Sequence, residues 1–334
     1  MKKHTLKIVL AAYFITMVIA ISIFNGEPSD KAMGEAVHAQ AGDITHQEVA
    51  EVAVETQEDG KIAAEKQAYL TAALETIASV DHRAPAVADN ENNPFAGKPS
   101  PDMAIAQLQQ GNSRFVAGEM THPNLDADRL AQAGSENQGD HAFATVITCS
   151  DSRVPVESLF DAGIMDIFVV RVAGNVCDVD ERGSIEYGLA HVKTPVLVVL
   201  GHTQCGAVTA VTHAVQGRGH ELERNIPALV DNIEPAVRRA MALHPDLNGD
   251  AVIPAAIEEN IWLGIEELFM ESPVIRGFVK EKFAKVVGAI YDVGTGKVTW
   301  LPEDTTFDIL EKVEANPERA LLEGGAKSHG ESHS

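Results

Sequence analysis

Four apolar runs, at residues 143–148, 167–172, 195–200 and 284–292, punctuate the middle of the chain and are rich in β-branched residues. Continuous runs of this kind, alternating with longer helical stretches, predict parallel strands covered on both faces. Ile257, Ile261, Ile265, Leu268 and Phe269 fall at helical spacing and predict a helix with a core-facing stripe. Ser272-Pro273 supplies an N-cap and a first-turn proline for the helix after it. Met103, Ile105, Ala106 and Leu108, ahead of Gly111-Asn-Ser-Arg-Phe115, predict an opening helix. At the other end, Asp292-Val-Gly-Thr-Gly296 leads into Lys297-Val-Thr-Trp-Leu301 and reads as a terminal hairpin. The expected fold is α/β, with a mostly parallel central sheet flanked by helices.

Outside this body the pattern changes. Lys2, Lys3 and Lys7 precede an uncharged apolar run from Ile8 to Phe24. A positive segment followed by a hydrophobic one places the body across a membrane, so the chain is expected to be exported and periplasmic. Seventeen helical residues reach about 25 Å, the short limit for a span of roughly 30 Å. The small-x-small site Ala39-Gln-Ala41 lies far beyond the run, which favours an anchor in the inner membrane over a cleaved signal peptide. Residues 1–24 are thus read as a signal peptide or signal anchor, and 25–100 as an acidic stalk or arm with a linker. Residues 101–302 form the catalytic body, and 303–334 a C-terminal extension with a polar tail.

Composition narrows the function classes. In 334 residues the apolar share is 45%, enough for a real core. The formal charge of −23 argues against nucleic acid, whose binding needs Lys and Arg to neutralise phosphates. It equally disfavours a broad anionic-lipid surface. Gly294-Thr-Gly-Lys297 lacks the earlier glycine and the following Ser/Thr of a phosphate loop.

The chemistry sits directly after two of the apolar runs, where open parallel sheets gather their reactive groups. Cys149-Ser-Asp151-Ser-Arg153 follows the first, and His202-Thr-Gln-Cys205-Gly206 follows the third. Cys149, His202 and Cys205 offer the thiolate and imidazole ligands that zinc favours, three in number, as in sites that keep a fourth position for water. Three cysteines in an exported chain also allow a disulfide between Cys149 and Cys205, but the charged, metal-compatible surroundings favour zinc. Cys177 stands alone and reads as a packing residue. Asp151 is close enough in sequence to touch the metal or its water, and Arg153 can hold that carboxylate in a bidentate pair. Released by Arg153, the same carboxylate could displace water and shut the site.

At these residues the chain resembles the β-class carbonic anhydrases. The resemblance rests on Cys149-Ser-Asp-Ser-Arg-Val-Pro155, Phe168-Val-Val-Arg-Val-Ala-Gly-Asn175, Ser184-Ile-Glu-Tyr187 and Gly201-His-Thr-Gln-Cys-Gly-Ala-Val208, and spans roughly residues 100–302. It implies one Zn2+ per subunit on Cys149, His202 and Cys205, with Asp151 and Arg153 as the catalytic dyad. It further implies a homodimer or higher homo-oligomer, and reversible hydration of carbon dioxide to bicarbonate and a proton by zinc-hydroxide attack. On the substrate side it points to Gly206 and to a glutamine nine residues before the first cysteine. Asp140 stands at that position, and a small insertion would bring Gln138 there instead. The bicarbonate-inhibited members carry a tryptophan where this chain has Val146, although Arg171 and Tyr291 match the rest of that inhibitory pocket. Two rival readings share the motifs: hydrolysis of carbon disulfide or carbonyl sulfide on the same scaffold, and non-catalytic binding of zinc or bicarbonate.

Overall fold

The computed structural model of the chain describes residues 93–219 and 221–319. The apolar segment 8–24, the arm up to residue 92 and the tail from residue 320 lie outside them. Among the described residues, no helix is long and apolar enough to cross a membrane.

The strands are β1 (Ala144–Thr148), β2 (Ile167–Arg171), β3 (Val196–His202), β4 (Lys285–Tyr291) and β5 (Val298–Trp300). The helices are α1 (Pro101–Ala117), α2 (Ala127–Ala133), α3 (Val156–Leu159), α4 (Val179–Ala190), α5 (Gly206–Val215) and α6 (Ile226–Val230). They continue with α7 (Glu234–Leu243), α8 (Ile253–Glu271), α9 (Pro273–Lys280) and α10 (Glu303–Ala315). The sheet order is β2-β1-β3-β4-β5, with β5 alone antiparallel. All four apolar runs become the parallel strands, shifted by a residue or two at their ends. The third run extends two residues further than its apolar pattern, so that His202 closes β3.

Alternate residues of each strand serve opposite faces. Ile147, Leu197, Val199 and Val286 pack with Ile185 and Leu189 of α4 and with Ile261, Ile265, Leu268 and Phe269 of α8. Val146, Val196, Val198, Leu200 and Val287 pack on the other face, against Ile105 and Leu108 of α1 and Leu159 of α3. Both β1 and β3 are buried along their whole length, as covered parallel strands must be.

Two details of α1 hold the frame together. Gly111 lies where the helix meets Phe160, and a Cβ there would stand 1.7 Å from the Phe160 carbonyl oxygen. Buried Asn112 donates to the carbonyls of Leu159 at 3.1 Å and Gly296 at 2.9 Å, and its Oδ1 accepts from Val298 N–H at 2.9 Å. The predicted hairpin is thereby pinned to the opening helix. Ser272 caps α9 as expected, its Oγ accepting from Ile275 N–H at 3.4 Å. The sequence reading had no helix after residue 302. Nevertheless α10 lays Ile309, Leu310 and Val313 into the same core as α8, so the packed body continues beyond the hairpin.

Candidate metal centre

Strands β1 and β3 are neighbours and run parallel, with Thr148 paired to Leu200. Their carboxyl ends therefore lie side by side, and whatever follows β1 meets whatever ends β3. Cys149 follows the one, and His202 is the last residue of the other. A tight turn brings Cys205 to the N-cap of α5. The turn is fixed from β4: Thr203 N–H donates to the Tyr291 carbonyl at 2.9 Å, and Thr203 Oγ1 accepts from Val293 N–H at 3.1 Å.

One ligand atom from each of Cys149, His202 and Cys205 lies within 4.8 Å of the others, and all three residues are buried. All three cysteines of the chain are free thiols, so the alternative of a Cys149–Cys205 bridge is not what the structure shows. His202 Nδ1 lies 2.9 Å from the Thr203 carbonyl, which can only accept, so Nδ1 carries the proton and Nε2 presents a lone pair. That Nε2 is buried and has no hydrogen-bond partner among the described residues. Buried polar atoms rarely lack a partner, and a lone pair facing two sulfurs is what a thiophilic cation completes. The donor set fits zinc.

The sulfurs are electrostatically unequal. The Cys205 side chain lowers the pKa of the Cys149 thiol, as do His202 and the backbone N–H of Gly174 and Asp151, against the opposing effect of burial. The Gly174 N–H lies 3.3 Å from Cys149 Sγ. Conversely, Cys149 and burial both raise the pKa of the Cys205 thiol. Two adjacent thiolates repel, and a divalent cation between them lets both ionise. Cys177 is different: complete burial raises its pKa, and it packs against Gly264 of α8, as a small core residue does.

Asp151 stands beside this group, Oδ2 4.0 Å from His202 Nε2. Arg153 clamps it: the backbone N–H and Nε donate to Oδ1 at 2.9 and 3.0 Å, and Nη2 donates to Oδ2 at 2.7 Å. The guanidinium holds the Asp151 carboxyl well below the usual carboxylate range. Asp151 is thus an acceptor-only group aimed at the metal position. Arg171 braces the loop from behind, Nη2 donating to the carbonyls of Cys149 at 3.0 Å and Asp151 at 2.6 Å. Val176, Val208, Val211, Ile233 and Ile257 pack in one apolar cluster with Cys149 and Cys205.

Two contributors were given no role by the sequence: Asn260, which belongs to no motif, and Gln204, which lies inside the His202–Gly206 motif. Asn260, buried within the apolar face of α8, donates to the Gly174 carbonyl at 2.8 Å and so steadies the N–H that faces Cys149. Gln204, inside the turn, accepts from Arg153. An isolated polar residue in the stripe at 257–269 was the only available hint of the first. On the substrate side, exposed Gly206 begins α5 directly after Cys205. Gln138 and Asp140 lie instead in a 3-10 turn before β1, about 16 Å of strand away from Cys149. Within one chain the structure does not bring either of them to the metal group. Tyr291, paired with His202 across the sheet, is buried at the end of β4.

The carbonic anhydrase family model matches residues 144–298. A carbonic anhydrase of Mycolicibacterium smegmatis is 35% identical over 202 residues, covering 60% of this chain and 92% of that one. Carbonic anhydrase 2 of Mycobacterium tuberculosis is 44% identical over 116 residues, which cover 35% of this chain and 55% of that one. Among solved structures, the β-carbonic anhydrase CafA of Aspergillus fumigatus is similar at 25% identity and a TM-score of 0.46, over 64% of this chain and 98% of that one.

Proposed function

This chain belongs to the β-class carbonic anhydrases, and from that membership we propose that it hydrates carbon dioxide reversibly to bicarbonate and a proton on a zinc ion held by Cys149, His202 and Cys205. One observation carries the metal assignment. Two cysteine sulfurs converge on a buried imidazole nitrogen that has no hydrogen-bond partner among the described residues. Zinc, when bound, supplies a Lewis acid that makes water nucleophilic near neutral pH, less strongly here because two thiolates offset its charge.

The chain's own residues do the rest. Asp151 Oδ2 would accept a hydrogen bond from a hydroxyl placed beside His202 Nε2 and so fix its orientation, without itself becoming protonated. Arg153 keeps that oxygen an acceptor. Val176, Val208, Val211, Ile233 and Ile257, packed with Cys149 and Cys205, keep bulk water from the two sulfurs. The intact Asp151–Arg153 pair favours catalysis over mere binding of zinc or bicarbonate.

Stopped-flow hydration of carbon dioxide by the zinc-loaded protein between pH 6 and 9 tests the reading. Activity rises towards alkaline pH. A zinc-full protein inert towards carbon dioxide is a binding protein instead, and one turning over only carbonyl sulfide is the rival hydrolase.

Assembly of at least two copies belongs to the same proposal. Strand β2 is the edge of the sheet, partly exposed along four of its five residues, and Tyr187 and Val179 of the adjoining α4 are 49% and 66% exposed. An open edge flanked by exposed apolar side chains favours pairing with a second chain. Light scattering after gel filtration is expected to give a dimer or larger for the wild type, shifting towards monomer in Tyr187→Asp. A wild-type monomer at micromolar concentration sinks this part.

A further inference from the structure

Gln204 sits between two of the metal-binding residues, at φ +57°. L side chains visit this left-handed region rarely, and glycine holds it without strain. A long side chain in such a place calls for a reason. Its Oε1 accepts from Arg153 Nη1 at 3.2 Å, and its carbonyl accepts from Arg153 Nη2 at 3.1 Å. Among the described residues, the hydrogen bonds of the Arg153 side chain go to Asp151 and Gln204 alone.

We propose that Gln204 is a positioning residue for the reaction, holding the Arg153 fork so that Asp151 stays 4.0 Å from His202 Nε2 instead of moving onto the metal position. The Arg153 side chain is 45% exposed, and an ion pair between residues two apart at the surface is weak and costs side-chain entropy. An anchor from a different loop removes much of that freedom, because the planar guanidinium then has two fixed edges. The anchoring loop is the one that also carries His202 and Cys205. One turn conformation therefore seats both the metal ligands and the dyad, and a distortion of either is felt by the other.

This inference rests on the carbonic anhydrase reading. Its test uses Gln204→Met, which keeps length and loses the Oε1 acceptor while the backbone carbonyl still accepts, and Gln204→Gly, which also relaxes the backbone. Three quantities are measured: zinc per chain, kcat and KM for carbon dioxide hydration, and exchange of the Arg153 Nη–H protons in arginine-labelled, zinc-loaded protein by NMR. In Gln204→Met, zinc stays at the wild-type level, kcat falls about tenfold with KM nearly unchanged, and Nη–H exchange quickens severalfold. Gln204→Gly melts higher than the wild type yet shows the same loss of kcat, a pairing that a purely structural role does not produce. Wild-type kcat and unchanged Arg153 exchange in Gln204→Met overturn the proposal. Should the wild type itself not hydrate carbon dioxide, the functional reading fails, while the exchange measurement still decides whether Gln204 holds Arg153.

Discussion

Replacing Cys205 with alanine empties the metal site and lowers kcat/KM by about a thousandfold or more, equivalent to roughly 4 kcal/mol of transition-state stabilisation. Three protein ligands are the minimum of an open zinc site, and the set here has no spare among the described residues. The variant keeps Cys149 and His202 with its fixed tautomer. Two remaining protein ligands hold the cation orders of magnitude more weakly than three. Elemental analysis of zinc per chain and stopped-flow kinetics measure the two halves of the claim, with circular dichroism confirming the fold. The control is Cys177→Ala. Its thiol is buried away from the group and its pKa is raised by that burial, so this variant keeps full zinc and near wild-type turnover. A Cys205→Ala protein that retains both metal and activity refutes the ligand assignment.

Asp151→Asn separates chemistry from metal binding. The amide matches the carboxylate in shape, but half of it donates where both oxygens accepted, and the clamp of Nε and Nη2 loses one acceptor. Zinc content stays at the wild-type level, because Asp151 Oδ2 stands 4.0 Å from His202 Nε2 without belonging to the three-residue group. Turnover falls about a hundredfold, the scale of misplacing a reacting group by a fraction of its productive geometry. Loss of zinc in this variant, measured by the same elemental analysis, gives Asp151 a structural role and removes it from the reaction.

Much of this was legible along the chain. The apolar segments located β1 to β4; the central pair β1 and β3, buried on both faces, carry the unbroken apolar sequence that such strands need. The grouping of Cys149, His202 and Cys205 was legible because reactive residues directly followed two such runs. Helix α10 is there to be read in the spacing of Thr306, Ile309, Leu310 and Val313, yet it follows a proline and opens on two acids, and the sequence reading makes it only an extension of the body. Asn260 was not legible. Its partner Gly174 is 86 residues away, and no local pattern encodes a side chain that serves a distant carbonyl.

By itself, then, the sequence determined which segments are strands and which side chains can bind metal, since both are written in local residue type and order. Only the tertiary structure decided that β1 and β3 are neighbours, that His202 Nε2 faces two sulfurs with its other nitrogen occupied, and that Gln204 reaches Arg153. Strand adjacency and the sign of one backbone angle are properties of the packed chain. They arise when distant apolar faces close on each other, and that closure sets the distances on which the chemistry depends.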